Sequence, residues 1–598
     1  MQRERTLEAA WLYDASAHRE ANRAGENYWD LYMQELCAQL GLTAAPLQCT
    51  SAQALAQALQ HCSCLFVGAQ TPVLKPELQH VLCHWVEAGG LLIGFRTEGL
   101  DELFGVREVG PKRRAESPFV PSAYLRLAHD PLAAGLQPDL HPEHPLLVFG
   151  PVRLVAAAGA RELATLLDRD DRSALGVGVS LRRSGEGWAA YWAFSLPQTA
   201  WVLHQGRPID RDYDGDGYYR TGDLFVIGEH EIEIPYADHL VWLLERLVAL
   251  LPHPRLYTMP PAGGQVPRAL IYWAGDDEFS AGDQLKASQF MRSLELPYHV
   301  NVMYKHGEFA ISPEEVEAIL ANGHDVSLHY NFVPSDGFPS AYEFGPEDVH
   351  QQAQAFRHRF GFAPYASVNH WLRWVGWAEP ARWMAAEGGK GDGSFVHARM
   401  PPLDPCDIFG FPFGTSFPFR FYDDWKHGNE TLPFVEKPLT GYEMGYSAGG
   451  ANFTQLYRLL DLTCRRHLVT SMFFHSNRIA RIPYCREAIA AVKGYFEERG
   501  VPVKHLSLNG LVRWWFDRLS SRIDAASLTQ SGLCFTVRTP HPEGAIVVVP
   551  LQPGQGAAAR CDGKPLECER WQEGPGRSLF IPIPHGEHLV QVEWREEQ

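Results

Sequence analysis

Short apolar runs alternate with amphipathic stretches along most of this chain, and that alternation admits few folds. In the first third, LEAAWLYDAS (7–16) reads as a buried strand. The helix NYWDLYMQELCAQLG follows and stops at Gly41, as a helix C-cap does. Then come SAQALAQALQ (helix), CLFVGAQ (strand), PELQHVLCHWVEAGG (helix) and LLIGFR (strand). GEGWAAYWAFSLPQTAW reads as a strand leading to a loop, and ADHLVWLLERLVALLP as a long helix. Strands separated by helices pair in parallel, with both faces of the sheet covered.

At 598 residues the chain exceeds what one core supports, about 250–300 residues. The Pro/Gly-rich PPAGGQVP (260–267) marks a first boundary, and strand–helix alternation resumes from RALIYWAGDDEF to about residue 520. From Leu528 the pattern changes to short apolar runs (LCFTVRT, GAIVVVPL, SLFIPIP, HLVQVEW) between Gly and Pro turns, the mark of an antiparallel β-sandwich. The expected units are 1–258, 266–522 and 526–598. The overall class is α/β: a parallel-sheet domain, a distorted (β/α) barrel and a β-sandwich.

With 45% apolar and 21% charged residues, the composition excludes global disorder. The net charge of −18, with no Lys/Arg-rich run, argues against nucleic acid and anionic membranes as partners. The charged N-terminus MQRERTLEAAWLYD has no apolar h-region, and no run of 18 apolar residues occurs. Eleven cysteines without a CxxC pair fit reduced thiols and a cytoplasmic location. Seventeen Trp and 22 Tyr fit a protein that stacks on sugar rings, or a core rich in aromatics.

The segments WVEAGGLLIGF (85–95) and WAAYWAFSLPQT (188–199) resemble class I glutamine amidotransferase-like domains. The resemblance implies a nucleophilic Cys on a sharp strand-to-helix turn. The corresponding turn, Gly94-Phe95-Arg96-Thr97-Glu98-Gly99, holds no Cys, Ser or His. The domain is therefore expected to be catalytically silent and to serve packing, homo-oligomerisation or the wall of a substrate cleft.

The chemistry concentrates in the middle third. The strand in ALIYWAGDDEF delivers the adjacent carboxylates Asp276 and Asp277 at its C-terminal end, where parallel α/β barrels place their sites. Two adjacent acids call for a cation or a shared proton, although a solvated turn carries the same residues. In ANGHDVSLHYNF, His329 ends a second strand. The order of these motifs, followed by RHRFGFAPY and VTSMFFHS, resembles the polysaccharide deacetylases over roughly 260–520. Carried over, the resemblance implies Asp276 as general base, Asp277 and His329 as metal ligands, and His475 as general acid.

One position departs from that pattern. The family's second His ligand lies four residues after the first, where this chain has Val333. His370, in APYASVNHWLRWVGW, is the substitute expected to complete an Asp277–His329–His370 site; its alternative role is to hydrogen-bond substrate or core. The expected cofactor is a divalent metal, Zn2+ first, with Co2+ or Ni2+ also admitted. Trp371, Trp374 and Trp377, three apart, would form one stripe of a helix, either for sugar stacking or as a core face; Arg373 could neutralise the base.

Outside the middle third, Asp210, Asp212, Asp214, Gly215 and Asp216 match the first half of a Ca2+ loop, but Thr221 stands where the last carboxylate belongs. An acidic surface turn, or a loop reaching over the neighbouring site, is the other reading. The expected activity is metal-dependent hydrolysis of a non-peptide C–N bond, N-deacetylation of an amino sugar in a saccharide or glycoconjugate. The alternatives are action on a small cyclic amide or acylated amine, and a carbohydrate-binding or assembly protein with a degenerate barrel.

Overall fold

A computed structural model describes residues 5–48, 51–71, 74–113, 116–228, 230–396, 409–447, 450–573 and 576–596. The first third is built on a nine-stranded mixed sheet. Ala44–Leu47, Glu8–Leu12, Cys62–Val67, Leu91–Phe95 and Gly187–Trp192 run parallel in that spatial order. Alternate side chains of Leu91–Phe95 enter two cores: Leu91, Ile93 and Phe95 on one face, Leu92 on the other.

The other half of this sheet departs from the expectation of parallel pairing throughout. Ala174–Ser184, Arg161–Asp168, Pro121–Leu127 and Leu146–Phe149 are antiparallel. Short polar connections such as Arg169–Ser173 leave no room for a crossover helix. Two further elements differ from the sequence reading. The first strand ends at Leu12, and Asp14 caps a helix over Ala15–Arg23 by accepting from the Ser16 and Ala17 amides. The segment read as a loop after Trp192 is a helix, Leu196–Gln205, started by Ser195 with proline in its first turn.

The middle third is a curled half-barrel. Ala269–Asp276, His299–Lys305, Asp325–Tyr330, Ala366–Asn369, Gly391–Asp392 and Thr431–Glu436 pair in parallel in chain order. Val469–Phe473 and Val503–Ser507 also run parallel to the first of them. Gly275 allows this closeness, because a Cβ there would lie 1.8 Å from the Phe474 carbonyl oxygen. Asp276, His329, Asn369 and Phe473 thus bring their strand ends to one rim.

After residue 521 the chain forms two antiparallel sheets whose apolar residues, including Phe535, Val549, Ile581 and Val590, join one core cluster. Each sheet also takes in a strand from the first third: Arg5–Thr6 pairs with Arg522–Leu528, and Arg255–Leu256 with Ala545–Leu551. First and middle thirds share a core as well. Trp201 stacks on Trp377 at 5.8 Å, and the buried Glu35 carboxylate takes the Arg420 guanidinium at 2.7 Å. Among the described residues, no helix is long and apolar enough to cross a membrane, and the cysteines are free thiols.

Candidate metal centre

Five side chains converge at the rim: Asp276, Glu278, His329, His370 and His475. Side chains of an extended strand point alternately to opposite sides. Asp276 ends its strand facing the cleft, and its Oδ2 lies 3.4 Å from His329 Nε2 and 4.0 Å from His475 Nε2. Asp277 therefore points away. Its Oδ1 accepts from the Phe279 and Met303 amides at 3.0 and 3.1 Å, and its Oδ2 from Gln284 Nε2 at 3.1 Å. Burial raises this carboxyl to about 6.

The structure thus does not bring Asp277 to His329 and His370. Glu278 stands there instead, in the left-handed turn (φ 49°) that swings it back toward the cleft. Its Oε1 is 3.1 Å from His475 Nε2. The sequence reading passed over Glu278 because it took the two aspartates as one unit.

His329 and His370 each have a partner outside the cluster. His329 Nδ1 lies 2.6 Å from the Val368 carbonyl oxygen, which accepts its proton and leaves a lone pair on Nε2. His370 Nε2 lies 3.3 Å from Asp336 Oδ2. Asp336 is fixed in turn by Asn331 and Lys305. His329 Nε2 and His370 Nδ1 face one another at 3.0 Å, a hydrogen-bond distance at which the His370 tautomer sets the donor. Two nitrogens bound to one tetrahedral zinc, each at about 2.0–2.1 Å, would sit roughly 3.3–3.4 Å apart. Burial holds both rings neutral, pushing His329 down to about 3 and lowering His370. Val333 is buried and offers no ligand atom, and the second imidazole beside His329 is that of His370.

The residues present fit a divalent ion on three counts. Ring nitrogens and carboxylate oxygens converge, each imidazole has an outer partner that fixes its orientation, and Asp276 Oδ1 is buried without a hydrogen-bond partner. Burial, with Glu278 and Asp277 nearby, also raises the Asp276 carboxyl well above its ordinary range. Positive charge in the cluster would reverse that shift.

His475 follows its strand and has a partner that sequence reasoning missed. Its Nδ1 lies 2.6 Å from Glu443 Oε1, and its backbone N–H donates to the same oxygen. Glu443 is buried and also pairs with Arg478 at 2.7 Å. Burial alone would lower the imidazole's pKa, but the Glu443 and Glu278 carboxylates outweigh it and hold His475 protonated. Glu443 lies 32 residues from His475, and no local pattern marks it.

The expected tryptophan stripe is not formed, because 370–377 is not a helix. His370–Leu372 is a single 3-10 turn, with Trp371 (φ 52°) and Leu372 (φ 55°) left-handed, a strain of about 1–3 kcal/mol each. Trp371 is 43% exposed at the cleft mouth. Trp374 is buried, stacks on Phe421 and donates to the Trp377 carbonyl. Trp377 is buried too, donating to the Gln205 and Gly206 carbonyls. Arg373 is wholly buried and donates to the Phe332, Tyr219, Ala341 and Ser340 carbonyls. It is a structural clamp rather than a group facing the base.

Asp212, Asp214 and Asp216 do cluster, but their oxygens accept from amides of their own loop, at Gly215, Asp216, Gly217 and Tyr218, and Asp216 pairs with Arg220; Asp210 lies outside the cluster. The loop's far end borders the cleft, a space of about 670 Å³ that Asp216, Tyr218 and Arg220 line together with Asp276, Glu278 and Trp371.

No protein-family model and no curated protein matches the chain. Among solved structures, the chain aligns with Agd3, described as a novel carbohydrate deacetylase, over 99% of both chains at 10% identity and a TM-score of 0.39. A β-galactosidase from Rahnella sp. R3 aligns over 32% of this chain and 29% of its own, at 16% identity and a TM-score of 0.25. Alpha-L-fucosidase isoenzyme 2 from Paenibacillus thiaminolyticus aligns over 44% and 39%, at 15% identity and a TM-score of 0.27. At these scores none of the likenesses bears on the chemistry.

Proposed function

We propose that the chain is a metal-dependent hydrolase of non-peptide C–N bonds, acting as an N-deacetylase on acetylated amino sugars. The observation that carries this reading is the convergence of Glu278 with the His329 and His370 imidazoles, 3.0 Å apart, with Asp276 and the Glu443-bound His475 beside them. Glu278, His329 and His370 would hold a divalent ion, Zn2+ being the first candidate for two imidazoles and a carboxylate. Such an ion, when bound, polarises an acyl carbonyl and acidifies water beside it.

The remaining steps belong to the side chains. Asp276 takes a proton from the attacking water. His475, kept protonated by Glu443, gives its proton to the departing amine. Burial and the neighbouring carboxylates favour the protonated form of both groups, so Asp276 serves as base only when positive charge held by Glu278, His329 and His370 returns it to the carboxylate, while Glu443 keeps His475 protonated. The first third, in this reading, is a silent amidotransferase-like unit that walls the cleft, and the last segment is a β-sandwich scaffold.

The test is acetate release from a panel of N-acetylated amino sugars, cyclic amides and simple acyl amines, with and without added Zn2+. Zinc-dependent release from the sugars alone supports the proposal. Release from cyclic amides alone moves the substrate class, and a metal-loaded protein inert on every acyl amine removes the hydrolase reading.

A further inference from the structure

The first third reaches into the cleft through residues 216–221, and this loop is fastened to the rim at several points. Arg373 Nη1 donates to the Tyr219 carbonyl at 2.9 Å, and the Trp374 amide donates to the same oxygen. Tyr219 N donates to the Ala341 carbonyl, and Thr221 Oγ1 to that of Ser394. Bridge pairs between Ile209 and Gly376 and between Arg220 and Arg373 run the two segments antiparallel. Held this way, the Tyr218 ring meets Trp371 edge-on, with centroids 5.4 Å apart.

The result is a corner of two rings at the mouth of the cleft, one from each third of the chain. Trp371 is large, apolar and 43% exposed, on a backbone whose left-handed turn favours small residues. Its centroid lies 6.1 Å from that of His370, one ring-width outside the cluster. Flat apolar rings beside a few charged groups are what a sugar face with its rim of hydroxyls requires. Asp216 and Arg220, next to the corner, supply the charged groups.

We propose that Tyr218 and Trp371 form a subsite for the sugar next to the one being deacetylated, which makes the substrate an oligosaccharide and makes the first third a specificity element. The proposal rests on the deacetylase reading of the cluster, but its test reads binding and not turnover. The full-length chain, stripped of divalent ions, is titrated calorimetrically with N-acetylglucosamine, N-acetylgalactosamine and their tetramers. Zinc binding is measured on the same samples.

The wild type binds one of the tetramers at least tenfold tighter than its monomer. Tyr218→Ala and Trp371→Ala each remove about tenfold of tetramer affinity while leaving monomer and zinc binding unchanged. Variants that bind the tetramer as the wild type does, or a wild type with no tetramer preference, overturn the proposal. A wild type that fails to bind zinc instead undoes the deacetylase reading, and the tetramer preference still decides the subsite.

Discussion

Asp277 and Glu278 differ by one position along the chain and offer the sharpest test of how the site is built. Replacing each by its amide removes one negative charge at nearly constant shape. Glu278 shares the cluster with His329 and His370, so a divalent ion held there would lie within bonding reach of its carboxylate. The attraction between a carboxylate and a divalent ion about 4 Å away is roughly 2 kcal/mol with water-like screening and roughly 8 at an effective dielectric of 20. Glu278 is 35% exposed, which places it nearer the lower figure. Even that limit amounts to about a 30-fold loss of affinity for Glu278→Gln. Asp277 has both oxygens engaged by Phe279, Met303 and Gln284, so Asp277→Asn forfeits only longer-range attraction and loses less affinity than Glu278→Gln. Competition between the metal-free chain and a chelator of known Zn2+ affinity, at pH 7.5, measures both. If Asp277→Asn loses as much affinity as Glu278→Gln, the alternation argument fails and the adjacent aspartates act as one ligand pair.

Other consequences follow from residues away from the metal ligands. Arg373→Ala leaves buried carbonyls unpaired and costs about 2–4 kcal/mol, seen as a lower thermal midpoint and faster amide exchange at 218–221; unchanged exchange there would contradict the clamp. Trp374→Ala opens a cavity costing about 3–5 kcal/mol, whereas Trp371→Ala leaves the thermal midpoint within the effect of a surface change. His204 is fully buried and pushed down to about 3 by burial. Its folded pKa lies below the unfolded value, so its contribution is present above about pH 6.5 and is lost as pH falls. At pH 5 the wild type therefore loses about 2 kcal/mol relative to pH 7.5 that His204→Gln does not lose, and parallel urea profiles for the two chains would refute this.

The sequence carried much of the scaffold and part of the site, for identifiable reasons. Strands such as Leu91–Phe95 are apolar on both faces and were legible from their runs. The Ala15–Arg23 helix buries none of its residues and so lacks the apolar stripe that marks a helix. The Leu196–Gln205 helix opens with a proline that reads equally as a loop signal. Asp276, His329 and His475 end apolar strands, a signal that survives in the sequence. Glu278 and His370 follow left-handed or irregular backbone, which no periodicity records. Glu443 and the Tyr218 loop depend wholly on contacts between distant segments, 32 residues apart for Glu443–His475 and more than 150 for Tyr219–Arg373.

The proposed hydrolysis requires a metal ion bound jointly by His329 and His370. Elemental analysis of the purified wild type beside His329→Ala and His370→Ala, each incubated with Zn2+ and dialysed, tests it directly. The expected result is about one zinc per wild-type chain and little in either variant, with acetate release following the metal. A folded wild type that retains no divalent ion, or a His370→Ala variant that retains as much as the wild type, contradicts it.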